Sequence, residues 1–339
     1  MYRILTAGLL SAATVGSAST ITVPDAAPAP ATSASTAAPA ASTAGTLKIA
    51  LEIHVENSAD PAAELATIEQ MAAAADLYDI DLTFSLDETM LEHVATAPAV
   101  VTDRLHDMEL AGHQFGLHAD VAAMNQRAAT LHIADMAADF RSAFGHTPAS
   151  LSGACTASGD WIAAARASGI STIAGTVLYC ERTLRTAAYA GTEYASEIAT
   201  VKAVCTRPSV AICHDPAPQA TEARRVMPWR ADDAYRWLTP SGRRSAMKIV
   251  PTLGNTSMEC ASEGESGSCA FDAVGDAAAF VALAVQADTL SGGAAGATLH
   301  MAWSTNERPD SDYISDVFAE IADTIAAAGV VDWVTLAAV

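Results

Sequence analysis

One unit recurs along most of the chain: a short apolar strand, an amphipathic helix, a glycine, and then the next strand. Asp60-Pro61 pairs an N-cap with proline at the first helical position, and Leu65, Ile68, Met71 and Ala75 then fall on one helical face. The strand Asp79 to Ser85 follows. Pro98 opens a helix that stops at Gly112, ahead of the strand His113 to Asp120. Ile133, Met136, Phe140 and Phe144 line a helix closed by Gly145, and Asp160 caps one that ends at Gly169. Later come the strand Ala246 to Leu253, a helix from Ala277 to Leu290, a strand around Leu299-His300, a helix from Asp312 to Ala328, and a last strand near Trp333. Helical crossovers return the chain to the same end of a sheet, so the strands run parallel. About seven to eight such strands predict an α/β fold that closes into a (β/α) barrel. The alternative is an open, doubly wound sheet. It fits less well, because no glycine-rich phosphate fingerprint follows the first strand.

Two stretches break this rhythm. Residues 178–244 hold three cysteines and several prolines, and read as an excursion stapled to the barrel. The first 45 residues carry no such pattern. Residues 1–18 have a basic start, an apolar stretch and small residues suited to cleavage, as a secretory signal does. Residues 19–45 are Ala, Pro, Ser and Thr with almost no large apolar side chain, so they read as a linker. The folded domain is expected over residues 46–339, with no later run apolar enough to span a membrane. The chain is therefore expected to be secreted, into the extracellular space or the periplasm.

Six cysteines in an exported chain suggest three disulfides. Cys205 with Cys213 and Cys260 with Cys269 would close small loops, leaving Cys155 with Cys180, although six cysteines admit fifteen pairings. The formal charge is −21, and only three of the 339 residues are lysine. So acidic a surface repels phosphate backbones, which argues against nucleic acid as a partner.

The chemistry is foreshadowed in the first strand, "KIALEIHVEN". Its odd positions, Leu47 to Val55, are apolar and should pack under helices. Its other face carries Lys48, Glu52, His54 and Glu56, and in a barrel that face turns inward. The same alternation puts Gln114, Gly116, His118 and Asp120 on one face of the third strand, and His300 opposite its apolar neighbours. Active sites of such barrels lie at the C-terminal ends of the strands. His54, Glu56, His118, Asp120 and His300 are thus expected to converge at one mouth. Imidazoles and carboxylates there suit a divalent metal, with zinc the leading choice. Trp229 and Arg230, in the excursion, are candidates for a sugar-stacking lip.

The order "KIALEIHVEN", "DLTFS", "GHQFGLHAD", "SLSGAC", "TLHMAW" resembles the polysaccharide deacetylase family, the NodB-homology carbohydrate esterases. The resemblance spans most of residues 46–339, and the Gly112 to His118 string matches the family's Gly-His-Glu-Ile-Gly-x-His best. It implies a distorted (β/α) barrel and metal-assisted removal of N- or O-acetyl groups from a glycan. It further implies His118 as a metal ligand and His300 as the acid. The chain departs from the family elsewhere. His54 and Val55 stand where relatives carry paired aspartates, Ala122 stands where a second metal histidine is expected, and Ser152-Gly153-Ala154-Cys155 replaces an arginine-containing segment.

The candidate metal set is therefore His54, His118 and Asp120, with Glu56 as an alternative ligand. The candidate catalytic set is His54, Glu56 and His300. Two other readings remain: a non-catalytic carbohydrate-binding relative, and a metal-independent glycosidase using Glu56 and Asp120.

Overall fold

The structure is a computed structural model that describes residues 46–56, 60–207, 211–217, 225–255, 270–305, 309–328 and 331–339. The expected leader, the expected linker and the expected Cys260–Cys269 pairing lie outside the described residues. In chain order the first half runs β1 (Leu47–Val55), α1 (Pro61–Asp76), β2 (Leu82–Leu86), α2 (Glu88–Thr96), α3 (Ala99–Ala111), β3 (Gln114–His118), α4 (Gln126–Phe144) and β4 (Ser150–Ser152). Then come α5 (Trp161–Ala167), β5 (Thr172–Ile173), α6 (Tyr194–Val204), β6 (Trp229–Ala231), β7 (Met247–Ile249) and β8 (Gly254–Asn255). The last elements are α7 (Ala273–Ser291), β9 (Thr298–Ser304), α8 (Ser311–Ala328) and β10 (Val331–Trp333).

The sheet order is β6-β7-β5-β4-β3-β2-β1-β9-β8, with β10 beside β1. Every pair is parallel except β6 with β7. The α/β class and the curled parallel sheet agree with the sequence reading, and among the described residues the sheet has ten strands, short edge strands included. One addition is β6, by which the excursion returns to the sheet as an antiparallel edge strand. A helix unforeseen in the sequence, α2, is set off by two local signals. The Asp87 carboxylate accepts the Met90 N–H at 2.8 Å at its start, and Pro98 separates it from α3.

The apolar face of β1 (Leu47, Ile49, Leu51, Ile53, Val55) is buried in the main core, as its alternation predicts. Burying each such leucine, isoleucine or valine is worth about 1.5–3 kcal/mol, which holds β1 in register at the centre of the sheet. The other face shows that the sheet curls into a distorted barrel. Ala50 on β1 packs with Ala174, just past β5, and Val250, just past β7, although β2, β3 and β4 lie between along the sheet.

Leu336 completes that inner cluster, because residues 334–339 fill the end of the barrel where the strands begin. The Thr83 hydroxyl accepts the Leu336 N–H at 3.0 Å, and the Gln114 side chain accepts the Ala337 N–H at 2.8 Å. Lys48 Nζ donates to the Ala338 carbonyl at 3.0 Å, and Lys248 Nζ donates to that of Val339. With this end filled by the tail, the cavity among the described residues lies at the C-terminal ends of the strands.

α7 is long and apolar enough to cross a membrane by length and composition, which the sequence reading had not allowed. Here it packs against α8, β1 and β9 through Ala277, Phe280, Val281, Ala284 and Ala287. The Tyr313 hydroxyl of α8 donates to the buried Asp276 carboxylate at 2.8 Å. An apolar helix that lies between a sheet and another helix needs hydrophobic residues around much of its girth, and composition alone does not separate it from a span.

Candidate active site

The inner face of β1 is a ladder from plug to mouth. Lys48 holds the tail, Ala50 packs against Leu336, Glu52 is fully buried, and His54 and Glu56 reach the open end. β3 lies beyond β2 from β1 and brings His118 to the same level. The His54 and His118 rings stand 4.3 Å apart, tilted by 41°. His118 Nε2 lies 2.9 Å from Glu56 Oε2.

One nitrogen from each imidazole and one Glu56 oxygen all lie within 4.8 Å of one another. Two histidines and a carboxylate form a three-ligand set of the kind that leaves a coordination position open for catalysis. Two further observations fit an ion here. His54 Nε2 is buried and faces the Glu52 Oε2 oxygen at 3.4 Å, a contact that orients its ring. His118 Nδ1 is held by the Ser152 hydroxyl at 2.9 Å, and that hydroxyl also reaches the Leu117 carbonyl at 3.4 Å. Such outer contacts fix the ring and leave Nε2 for a ligand role.

The electrostatics keep Glu56 ionised and make His118 more basic, so a cation bound here displaces a proton from that imidazole. Burial works against ionising Glu56. It is outweighed by the hydrogen bond and charge of His118, the charge of His54 and a hydrogen bond from Ser304, so the carboxyl is held at about 2. Burial likewise lowers the His118 pKa, but the Glu56 hydrogen bond and the charges of Glu56, Glu52 and Asp120 leave it raised.

His300 does not join the trio at the mouth. The β1–β9 register sets His300 opposite Ala50 and Ser304 opposite His54, so His300 lies four residues deeper. At 3.3 Å per residue the backbone positions are about 13 Å apart along the strand, and the His300 side chain reaches back toward the mouth as far as Glu52. His300 is fully buried; its Nε2 lies 2.9 Å from Glu52 Oε2 and its Nδ1 2.8 Å from the Thr252 hydroxyl. Ser85 donates to the other Glu52 oxygen. Burial opposes a charge on Glu52, yet His54 and His300 hold its carboxyl well below the usual carboxylate range.

The mouth opens into a cavity of about 320 Å³ lined by His54, Glu56, His118, Asp120, Tyr179 and His214, among others. Asp120 is on its wall but outside the three-residue donor group. Its backbone is left-handed (φ 42°), and Gly153 (φ 62°) packs against it. A Cβ at Gly153 would stand 2.7 Å from the Asp120 nitrogen and 3.2 Å from His118 Cε1, so glycine allows this close approach. The disulfide Cys155–Cys180 ties the segment after β4 to the excursion and lines the same cavity, and Cys205–Cys213 closes the loop after α6. Both pairings are those preferred from the sequence, Cys205–Cys213 for its short spacing and Cys155–Cys180 as the pair left over.

Trp229 and Arg230 lie elsewhere. As residues of β6 they pair with Ile249 and Lys248. The Trp229 indole stacks on Trp237 and donates to its carbonyl at 2.7 Å, while Arg230 donates to the Ala246 carbonyl at 2.8 Å. They are packing residues of the edge strand and do not line the cavity. Glu52, Ser152 and His214 are residues of this region that the sequence reading did not select. The alternation of β1 had already put Glu52 on the inner face. His214 carried no periodic signal, because it sits on a short turn.

No protein-family model matches the chain, and no curated protein does. Solved structures do show a likeness. A putative polysaccharide deacetylase from Mycobacterium smegmatis is 11% identical, with 86% of this chain and 87% of that one covered and a TM-score of 0.48. A putative glycoside hydrolase/deacetylase from Parabacteroides distasonis is also 11% identical, covering 87% and 71%, with a TM-score of 0.48. A family 4 acetyl xylan esterase from Clostridium thermocellum, solved with cobalt, is 18% identical over 31% of this chain, with a TM-score of 0.25. The match spans 47% of that esterase, about half its length. Identity this low leaves function to the side chains of the cavity itself.

Proposed function

We propose that the chain is a secreted hydrolase that removes N- or O-acetyl groups from a polysaccharide with the help of a divalent metal, zinc by preference. The observation that carries this reading is the His54–Glu56–His118 donor set at the floor of an open cavity. A divalent ion held there supplies Lewis acidity to an acyl oxygen and lowers the pKa of a water molecule.

The chain's own residues do the rest. Ser152 and Glu52 orient the two imidazoles, one on each side of the mouth. Asp120 is the remaining carboxylate on the cavity wall and is assigned to accept the proton of the attacking water. His300, at its depth, acts through Glu52 and does not touch substrate. Two disulfides among the described residues support export to an oxidising compartment.

The glycosidase alternative is weaker. Glu56, held at about 2, cannot serve as its acid, so that role would fall to Asp120 alone. Assay of acetate against new reducing ends from chitin oligomers, peptidoglycan fragments and acetylated xylan separates the readings. Acetate supports deacetylation, reducing ends support a glycosidase, and sugar binding without either product supports a binding protein.

A further inference from the structure

We propose that this site selects uncharged acetylated glycans and discriminates against acidic ones, those that bear uronate or sulfate groups. The inference rests on the polysaccharide-hydrolase reading above and narrows its substrate class. The charged side chains on the cavity wall are Glu56 and Asp120, both acidic, and no lysine or arginine lines it among the described residues. Glu52 adds a third carboxylate just beneath, fully buried and 3.4 Å from His54 Nε2.

A metal in the donor set does not reverse the sign of this field. Its imidazole ligands are neutral, and the carboxylates of Glu56 and Glu52 match the two charges of a divalent ion. Asp120 then leaves the mouth with an excess of negative charge. The chain as a whole, at a formal −21, adds to it. A cleft lined by one sign of charge focuses that field and lowers the local concentration of ligands of the same sign.

The uncharged part of the wall leads to the same selection by a separate route. Ala122, Gly153, Ala154, Gly175, Val177 and the Cys155–Cys180 disulfide present small or apolar groups. An anion that enters gives up water here and meets no ammonium or guanidinium in exchange. The Tyr179 hydroxyl already donates to the Ala122 carbonyl at 2.9 Å. Arg182 adjoins this wall, but its guanidinium lies over the Tyr179 ring at 5.6 Å and donates to the Thr206 carbonyl at 2.8 Å. Sugar hydroxyl and acetamido groups bring no charge to desolvate, so they escape both penalties.

The test uses the zinc-loaded wild type and two backbones, N-acetylated chitotetraose and acetylated xylotetraose. Each is supplied uncharged, with one uronate group, and with that uronate as its methyl ester. The uronate is a C6-oxidised sugar in the first and a glucuronate branch in the second. Acetate release and calorimetric binding are measured at about pH 7.5, where carboxylates are ionised and free imidazole is mostly neutral. On the backbone that is cleaved, the uronate form should have a kcat/KM lower by about tenfold or more. The methyl ester should recover to within about threefold of the uncharged form, and added salt should narrow the gap. A uronate form cleaved as well as the uncharged one, or an ester as poor as the acid, overturns the selectivity and leaves the hydrolase reading standing. Acetate from none of the forms sinks the hydrolase reading, and binding then judges the selectivity alone. Weaker binding of the acid than of the uncharged and esterified forms upholds it, and equal binding or none overturns it.

Discussion

Glu52 and His300 meet 2.9 Å apart with both side chains fully buried, one layer beneath the imidazole of His54. With its proton on Nε2, His300 donates to the carboxylate and its Nδ1 accepts from Thr252, so the buried ring is satisfied on both sides. The carboxylate is thereby anchored from below and presents its charge to the donor trio above.

This anchoring makes Glu52 a positioning residue for His54. Glu52→Gln keeps the size of the side chain and removes the charge. Zinc affinity measured by calorimetry should fall by about 10- to 100-fold while the protein stays folded. Unchanged affinity would leave Glu52 a purely structural residue.

Gly153 tests the close approach at the cavity wall. In Gly153→Ala the left-handed backbone costs about 1–2 kcal/mol, and the new Cβ presses on the Asp120 backbone and the His118 ring. Urea unfolding should show a stability loss of at least that size, with zinc binding weakened in the same variant. Wild-type stability and affinity would mean the wall yields freely.

Much of this was legible before the structure, and the limit of legibility is physical. Alternation in β1 and β3 fixes which side chains point inward, and so it brought His54, Glu56 and His118 together correctly. Alternation does not fix depth. Depth depends on the stagger between neighbouring strands, and the β1–β9 register carried His300 down to the level of Ala50. Trp229 and Arg230 failed as a sugar lip for a related reason. Three residues in a loop-rich stretch carry too little pattern to reveal an edge strand, and β6 is formed by pairing with β7. His214 was illegible because its place comes from a disulfide and from pairing with residues 176–178, both of them long-range.

A pH effect follows from the excursion. Glu181 is fully buried, neither of its carboxyl oxygens has a hydrogen-bond partner, and burial, aided by the charge of Glu197, pushes it up to about 8. The folded state therefore holds a proton that the unfolded chain releases near pH 4.5. The penalty is absent below that pH, grows as the pH rises toward 8, and reaches about 4 kcal/mol there. Wild-type stability from urea unfolding should fall across this window. Glu181→Gln should remove that fall and be the more stable protein at pH 8, and parallel curves for the two would contradict the assignment.

The donor trio makes the simplest mutational claim. His54→Ala, Glu56→Ala and His118→Ala should each lower zinc affinity by at least about 100-fold, whereas Asp120→Asn should retain most zinc binding and lose turnover. Loss of zinc in Asp120→Asn, with Glu56→Ala unaffected, would exchange the two carboxylates.

The central claim is metal-assisted deacetylation, and acetate release from acetylated glycans by the intact protein, before and after chelation, measures it directly. The account predicts acetate without new reducing ends, loss of release when the metal is stripped, and recovery on adding zinc. Release that survives complete chelation, or none from a protein carrying its metal, would contradict it.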